Sequence, residues 1–207
     1  MEQANSISAP VGIILLAAGA SSRLGHPKQL LSLNGQSLLQ HSLQAALDAT
    51  AGPVVVVLGA NADAIKKSVQ WQQVQTVLNQ NWQEGMAASI RCGVQHLLKG
   101  ASEVEAAILM VCDQPFVSSA LFKNLISAHR QTGKPIVTCS YADTFGPPTL
   151  FQKSLFSELL QLKGDVGARS ILRDHANNIA SIPFSEGVID IDTEADYQQV
   201  AKDKPPS

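Results

Sequence analysis

A single α/β domain built on a mostly parallel sheet is predicted by three features of the chain. Short apolar, β-branched runs recur along it, each too uniformly apolar for a sheet with one wet face. Between them lie longer amphipathic stretches that open on capping residues. Their alternation calls for right-handed crossovers and helices on both faces of the sheet. With 207 residues, 45% hydrophobic and 15% charged, the chain has enough apolar material for such a core and is not globally disordered.

In chain order, Val11–Ala17, Pro53–Leu58, Val74–Asn79 and Ala106–Cys112 read as strands buried on both faces, and Pro135–Cys139 as a shorter fifth. Helices are expected over Ser37–Ala49, Asn61–Val69, Met86–Leu98 and Ser118–Thr132, with Ser37, Asn61 and Ser118 as caps. After Cys139 the rhythm changes. Tyr141–Pro148 is rich in turn formers, and helices follow over Lys153–Leu162 and Gly167–His175. Short strands are expected at Ile179–Pro183 and Gly187–Ile191, and a last helix from Thr193. This later part reads as an elaboration on the same sheet, so the domain spans 11–200, with 1–10 and 201–207 as flexible ends.

Composition removes several function classes. A net charge of −2 without a basic stripe excludes nucleic-acid binding driven by counterion release. No apolar run approaches the roughly 18 to 20 residues that span a bilayer. The first ten residues lack the positive start and apolar middle of a secretory signal, and three unpaired-looking cysteines (Cys92, Cys112, Cys139) suggest reduced thiols. A cytoplasmic protein is expected. Five scattered histidines make no zinc-binding pattern.

In open α/β sheets ligands bind beyond the carboxyl ends of the strands, and four groups of residues lie there. The first is the loop after strand one, Ala17-Ala18-Gly19-Ala20-Ser21-Ser22-Arg23-Leu24-Gly25-His26-Pro27-Lys28. Its small residues let backbone N–H groups approach an anion, while Arg23 and Lys28 add charge suited to a triphosphate. It is neither a P-loop nor a dinucleotide fingerprint, since both spacings are absent. The second is Val111-Cys112-Asp113-Gln114-Pro115, where Asp113 either holds a hard cation such as magnesium or starts a turn. The third, Asn79–Val94, offers Asn79, Gly85, Met86 and Ser89 to a nucleobase or ribose. There Trp82 either stacks on the base or simply packs, and Arg91 either lines the pocket or pairs at the surface.

The fourth group comprises Gly146-Pro147-Pro148-Thr149-Leu150-Phe151, Gly164-Asp165-Val166-Gly167-Ala168-Arg169 and Asp190-Ile191-Asp192-Thr193. Its middle piece sets an acid and an arginine at a glycine-flanked helix start, suited to an anionic second substrate, although Asp165 serves equally well as a cap. Asp190 and Asp192 share a side if their strand is regular; one supplies a second metal contact and the other caps the helix at Thr193.

At these residues the chain resembles the MobA-like nucleotidyltransferases, and within them the molybdenum cofactor cytidylyltransferase branch. The motifs that carry the resemblance are, in order, LLAAGASSRLGHPKQLL, NQNWQEGMAASIRCGV, VCDQPF, GPPTLF, GDVGARSIL and DIDTEADY. The resemblance implies a Rossmann-like three-layer fold of the glycosyltransferase A type. It implies that the first loop (Ala17, Ala18, Gly19, Arg23, Lys28) holds the nucleoside triphosphate and that Asp113 ligates Mg2+; Leu16 beside the loop joins the nucleotide candidates, and Asp190 is the candidate second metal ligand. Arg23, Lys28 and Asp113 would then carry catalysis, while Gly146, Pro147, Gly164, Asp165 and Arg169 face the molybdopterin. Relatives transferring GMP show Leu-Ala-Gly-Gly where this chain has Leu-Ala-Ala-Gly, which favours CTP. The doubled proline, Pro147-Pro148, departs from the family pattern and is expected to stiffen its loop. The implied reaction joins CMP to molybdopterin and releases pyrophosphate, with a molybdoenzyme as receiver of the product. Rivals are a transferase using GTP or another phosphate acceptor, and a non-catalytic carrier of finished cofactor.

Overall fold

The computed structural model describes residues 9–50 and 52–202, so the expected flexible ends fall mostly outside the described residues. Its elements run β1 (Val11–Ala17), β2 (Ser32–Leu33), β3 (Gln36–Ser37), α1 (Leu38–Leu47), β4 (Val54–Leu58), α2 (Ala62–Ser68), β5 (Gln75–Leu78), α3 (Met86–Gly100) and β6 (Ala106–Val111). They continue with α4 (Ser119–Thr132), β7 (Ile136–Tyr141), β8 (Thr144–Gln152), α5 (Phe156–Leu159), α6 (Arg169–Asp174), β9 (Ile179–Pro183) and α7 (Glu194–Lys202), with short 3-10 turns between. The main sheet has the order β5-β4-β1-β6-β8-β7-β9. β4, β1, β6 and β5 run parallel, as do β7 and β9, while β8 is antiparallel to both its neighbours.

The apolar runs became the sheet's centre because both faces are covered. On one face Ile13, Leu15, Val56, Ile108 and Met110 pack with Leu39 and Leu43 of α1 and Phe122 and Leu125 of α4. On the other, Ile14, Val55, Val57, Ala107 and Leu109 meet Ile90, Val94 and Leu97 of α3, with Phe151 and Phe156. Alternate residues of each strand thus serve opposite layers. Ser37 and Ser118 cap α1 and α4 through Gln40 N–H (3.2 Å) and Leu121 N–H (3.3 Å).

Several expectations are corrected. β5 is the edge of the sheet, with Gln75, Thr76 and Leu78 exposed, because it has β4 as its one neighbour. Tyr141–Pro148 is no loop: Ala142 (φ 44°) and Asp143 (φ 58°) make a two-residue left-handed turn that suits a twisted hairpin, and β8 starts at once. Pro147 and Pro148 fall where the β7–β8 register shifts between Thr138↔Thr149 and Cys139↔Gly146, so their missing N–H groups cost no ladder bond. Lys153–Leu162 shortens to a 3-10 turn and the single turn of α5, and α6 starts only at Arg169. Asn61 does not cap α2; its Nδ2 reaches Ala20 O at 3.5 Å.

Gly187–Ile191 is not a strand. A 3-10 turn covers Ser185–Val188, and the chain then crosses the end of β6 with Ile191 N–H on Asp113 O at 3.0 Å. Gly187 lies where a β-carbon would collide with the Tyr141 ring, which keeps this segment tight against β7. Ile191 is fully buried with Leu31, Leu38 and Val200, so the C-terminal segment is clamped over the first loop.

Candidate active site

The first loop takes its shape from a residue that sequence reasoning passed over. Gln29 is 1% exposed, and its Nε2 donates to Ala17 O (3.0 Å) and Gly19 O (3.1 Å), fastening both ends of the turn that leaves β1. Ser21 (φ 54°) accepts the Lys28 N–H on its Oγ (3.0 Å), and its carbonyl accepts from Leu24 and Gly25. The loop therefore doubles back and sets Lys28 beside β6. Gly59 makes room for this turn, since a β-carbon there would collide with Ala18 O. The only sequence signal for Gln29 is a polar residue directly before the apolar pair Leu30-Leu31 in HPKQLL. Gln29→Ala strands the buried Ala17 carbonyl and frees Gly19 O, and is expected to cost about 2 kcal/mol and weaken nucleotide binding. Chemical denaturation and nucleotide titration of that variant check this.

Charge converges at the loop's far end. Lys28 Nζ lies 2.5 Å from Asp113 Oδ2 and 2.9 Å from Asp192 Oδ1, and Arg23 Nη2 is 2.8 Å from Asp192 Oδ2. Burial works against the Lys28 charge, but the two carboxylates outweigh it and raise its pKa above the usual lysine range. Asp192 is held below the usual carboxylate range, first by its Lys28 hydrogen bond. Asp190 moves the other way, to about 6, through burial and then the repulsion of Asp113 and Asp192. Neither aspartate caps α7. Thr193 does so, with Asp196 Oδ2 accepting from Thr193 N–H (2.8 Å) and Asp196 N–H returning to Thr193 Oγ1 (3.2 Å).

Asp113 Oδ1 is buried and has no hydrogen-bond partner among the described residues. A divalent cation satisfies such an oxygen, and Asp190 supplies a second nearby carboxylate. No group of three or more candidate metal ligands occurs among the described residues. Cys112 and Cys139 take no part, since burial pushes both thiols up to about 12.

Two cavities meet here. The first, about 340 Å³, is bounded by Leu16, Ala18, Gly19, Ala20, Lys28, Gln29, Trp82, Gln83, Gly85, Met86, Ser89, Val111, Cys112, Asp113 and Asp165. The second, about 400 Å³, lies across β6 toward β8 and includes Gln114, Tyr141, Gly146, Pro147, Ala168, Arg169 and Asp190. Leu16, Met86, Val111, Asp113 and Asp165 line both. Most of the candidate residues are thus brought together, with Asp113 at the junction.

Others stand apart. The Ala17 side chain belongs to the core, at 2% exposure. Asn79 is buried outside both cavities, its Nδ2 on Ser89 Oγ (3.0 Å) and its Oδ1 accepting Asn81 N–H (3.0 Å). Arg23 borders neither cavity and is tethered at the rim by Asp192. Arg91 pairs with Glu84 (2.9 Å) and Leu162 O (2.6 Å), away from the cavities. Gly164 acts through its backbone, accepting Ala87 N–H (3.1 Å). Asp165 caps α3 rather than its own helix: its Oδ1 accepts Met86 N–H at 2.9 Å. Gly85 (φ 101°) permits that contact, because a β-carbon would meet Gly164 O and the Asp165 Cα at 2.9 Å. Trp82 lines the first cavity while packing on the α3 side of the core.

The described residues contain no helix long and apolar enough to cross a membrane. Residues 13–179 match the family described as "MobA-like NTP transferase domain". "Nicotine blue oxidoreductase" of Paenarthrobacter nicotinovorans is 32% identical over 170 residues, covering 77% of this chain and 80% of the relative. The crystal structure of Rv0371c from Mycobacterium tuberculosis H37Rv is similar at a TM-score of 0.82 with 28% identity, covering 94% of this chain and 98% of that one. A structure of Rv0371c in complex with manganese has a TM-score of 0.77 and 25% identity, over 94% of this chain and 100% of that one. The family match over most of the chain defines a nucleotidyltransferase domain. The chain belongs to the MobA-like NTP transferase domain family.

Proposed function

We propose that the protein transfers CMP from CTP to the terminal phosphate of molybdenum-bound molybdopterin, releasing pyrophosphate. The observation that carries this reading is the meeting of two cavities at Asp113, beside the Lys28 ammonium. A triphosphate in the first and an anionic acceptor in the second would come together at that point. An oxygen of the acceptor phosphate attacks the α-phosphorus; the new O–P bond forms as the bond to the β-phosphate oxygen breaks, and its electrons leave with pyrophosphate. No general base is required, because a phosphate oxygen is already ionised at neutral pH. Catalysis of this kind rests on positioning and charge neutralisation.

Lys28 stays protonated throughout and would offset charge at the α-phosphate, while Arg23, tethered at the rim by Asp192, would have to swing inward to reach the departing pyrophosphate. Asp113, with Asp190 as second carboxylate, would hold a divalent cation, whose charge would lower the repulsion between the two anions; the manganese complex of Rv0371c supports a divalent ion here. The Ala17-Ala18-Gly19 tract supports CTP, since Ala18 lines the nucleotide cavity and the resemblance gives GMP-transferring enzymes glycine at that position. A cytoplasmic setting, where three unpaired thiols persist, agrees with this role.

Pyrophosphate release is the test, with CTP and GTP side by side and molybdopterin or a simple phosphate ester as acceptor. CTP with molybdopterin is expected to lead each alternative by at least about tenfold in kcat/KM, the discrimination a well-made pocket supplies. A clear GTP preference removes the cytidylyl reading. Binding without pyrophosphate release would make the protein a carrier, and turnover of a redox dye in place of transfer would align it with the name of its Paenarthrobacter relative.

A further inference from the structure

Gln114 stands out in the second cavity because half of its amide is committed and half is not. Its Nε2 donates to Gly187 O at 3.1 Å, which turns Oε1 the other way. That oxygen is buried and has no hydrogen-bond partner among the described residues, although Gln114 is only 1% exposed. Buried acceptors are almost always satisfied, and an orphaned one in a ligand cavity points to a donor that arrives with the ligand. Gln114 borders the second cavity and not the first, so the donor belongs to the acceptor and not to the nucleotide.

The walls narrow what that acceptor is. Leu109, Pro147, Phe151 and Leu172 make one side apolar, and the Tyr141 ring forms another. Glycine at 146 and 187 keeps that ring in place, since a β-carbon at either would collide with it. Phe184 also meets it edge-on, with centroids 6.4 Å apart. Thr149, Asp165, Arg169 and Asp190 line the rest of the cavity and would meet the polar part of the acceptor. A flat ring with one donor edge satisfies both the walls and Gln114.

We propose that Gln114 determines acceptor specificity: its Oε1 accepts a hydrogen bond from the exocyclic amino group of a flat nitrogen heterocycle. The inference rests on the transfer reading above and adds the part of the acceptor that is read. Gln114→Met keeps the volume and removes the acceptor oxygen. Its KM for molybdopterin should rise at least about tenfold while its KM for CTP stays within about twofold, the pattern of a lost ligand hydrogen bond. An unchanged molybdopterin KM, or equal rises for both substrates, overturns the proposal.

The variant also loses the Gly187 bond, so a second measurement uses the wild-type protein alone. Free pterin should compete with molybdopterin at least about tenfold more tightly than its 2-dimethylamino analogue, whose exocyclic nitrogen has no hydrogen to donate. Equal competition, or none from pterin while molybdopterin is still turned over, overturns the role of Gln114 and leaves the transfer reading standing. If molybdopterin accepts no nucleotide from the wild-type protein, both fall.

Discussion

Asp113→Asn is expected to lower transfer by about a thousandfold or more while leaving the protein folded, the scale at which removal of a preorganised charge acts in a transition state. The two oxygens of Asp113 explain why. Oδ2 is paired with Lys28, but Oδ1 is buried without a partner, an arrangement that stability alone would not favour. Asparagine keeps the shape and leaves Lys28 its second partner, Asp192. The thermal midpoint should therefore move little, and the dependence of nucleotide binding on divalent cation should vanish. Normal turnover in this variant would remove Asp113 from the metal site.

Lys28→Met carries the next largest effect, and it falls on both chemistry and stability. Lys28 separates Asp113 from Asp192, with Asp190 close by. Without its charge Asp113 and Asp192 lose the cation they share in a partly buried setting, and Asp190 feels the repulsion of both. Stability should drop by about 2–3 kcal/mol, as when one partner of a buried ion pair is lost, and transfer should drop by about a hundredfold or more. The stability loss should depend on pH with a definite sign. A carboxylate whose folded pKa lies above its unfolded value binds more protons when folded, so its stabilising effect holds at low pH and is lost as pH rises through the folded value. Asp190, already raised from 3.8 to about 6, marks that window, and losing Lys28 pushes it higher. The gap between variant and wild type should therefore narrow as pH falls toward about 6. If instead Lys28→Met weakens molybdopterin binding and spares CTP, Lys28 does not hold the nucleotide.

The sheet's centre was legible because burial on both faces leaves an unbroken apolar run, and Val54–Leu58 and Ala106–Val111 carry hardly a polar atom. The first loop and Asp113 were legible for a related reason, since small residues, cations and a carboxylate at strand ends have a chemistry of their own. What was hidden depends on contacts distant in sequence. No local pattern shows that Gln29 fastens Ala17 and Gly19, that Asp165 caps a helix starting at Met86, or that Asp192 binds cations 164 and 169 residues away. The hairpin at Ala142–Asp143 was hidden because its left-handed turn uses neither glycine nor asparagine, and the two prolines after it imitate a loop. Gly187 imitated a strand residue, although its conformation answers to the Tyr141 ring.

The direct measurement follows the α-phosphorus. CTP labelled there is incubated with the protein, molybdenum-bound molybdopterin and a divalent cation, and the label is traced. Transfer requires that it appear in a dinucleotide with molybdopterin, in equal amount to the pyrophosphate released, and that omission of the cation or of Asp113 abolish it. Label that stays in CTP, or appears only as free CMP, would contradict a phosphoryl acceptor in the second cavity.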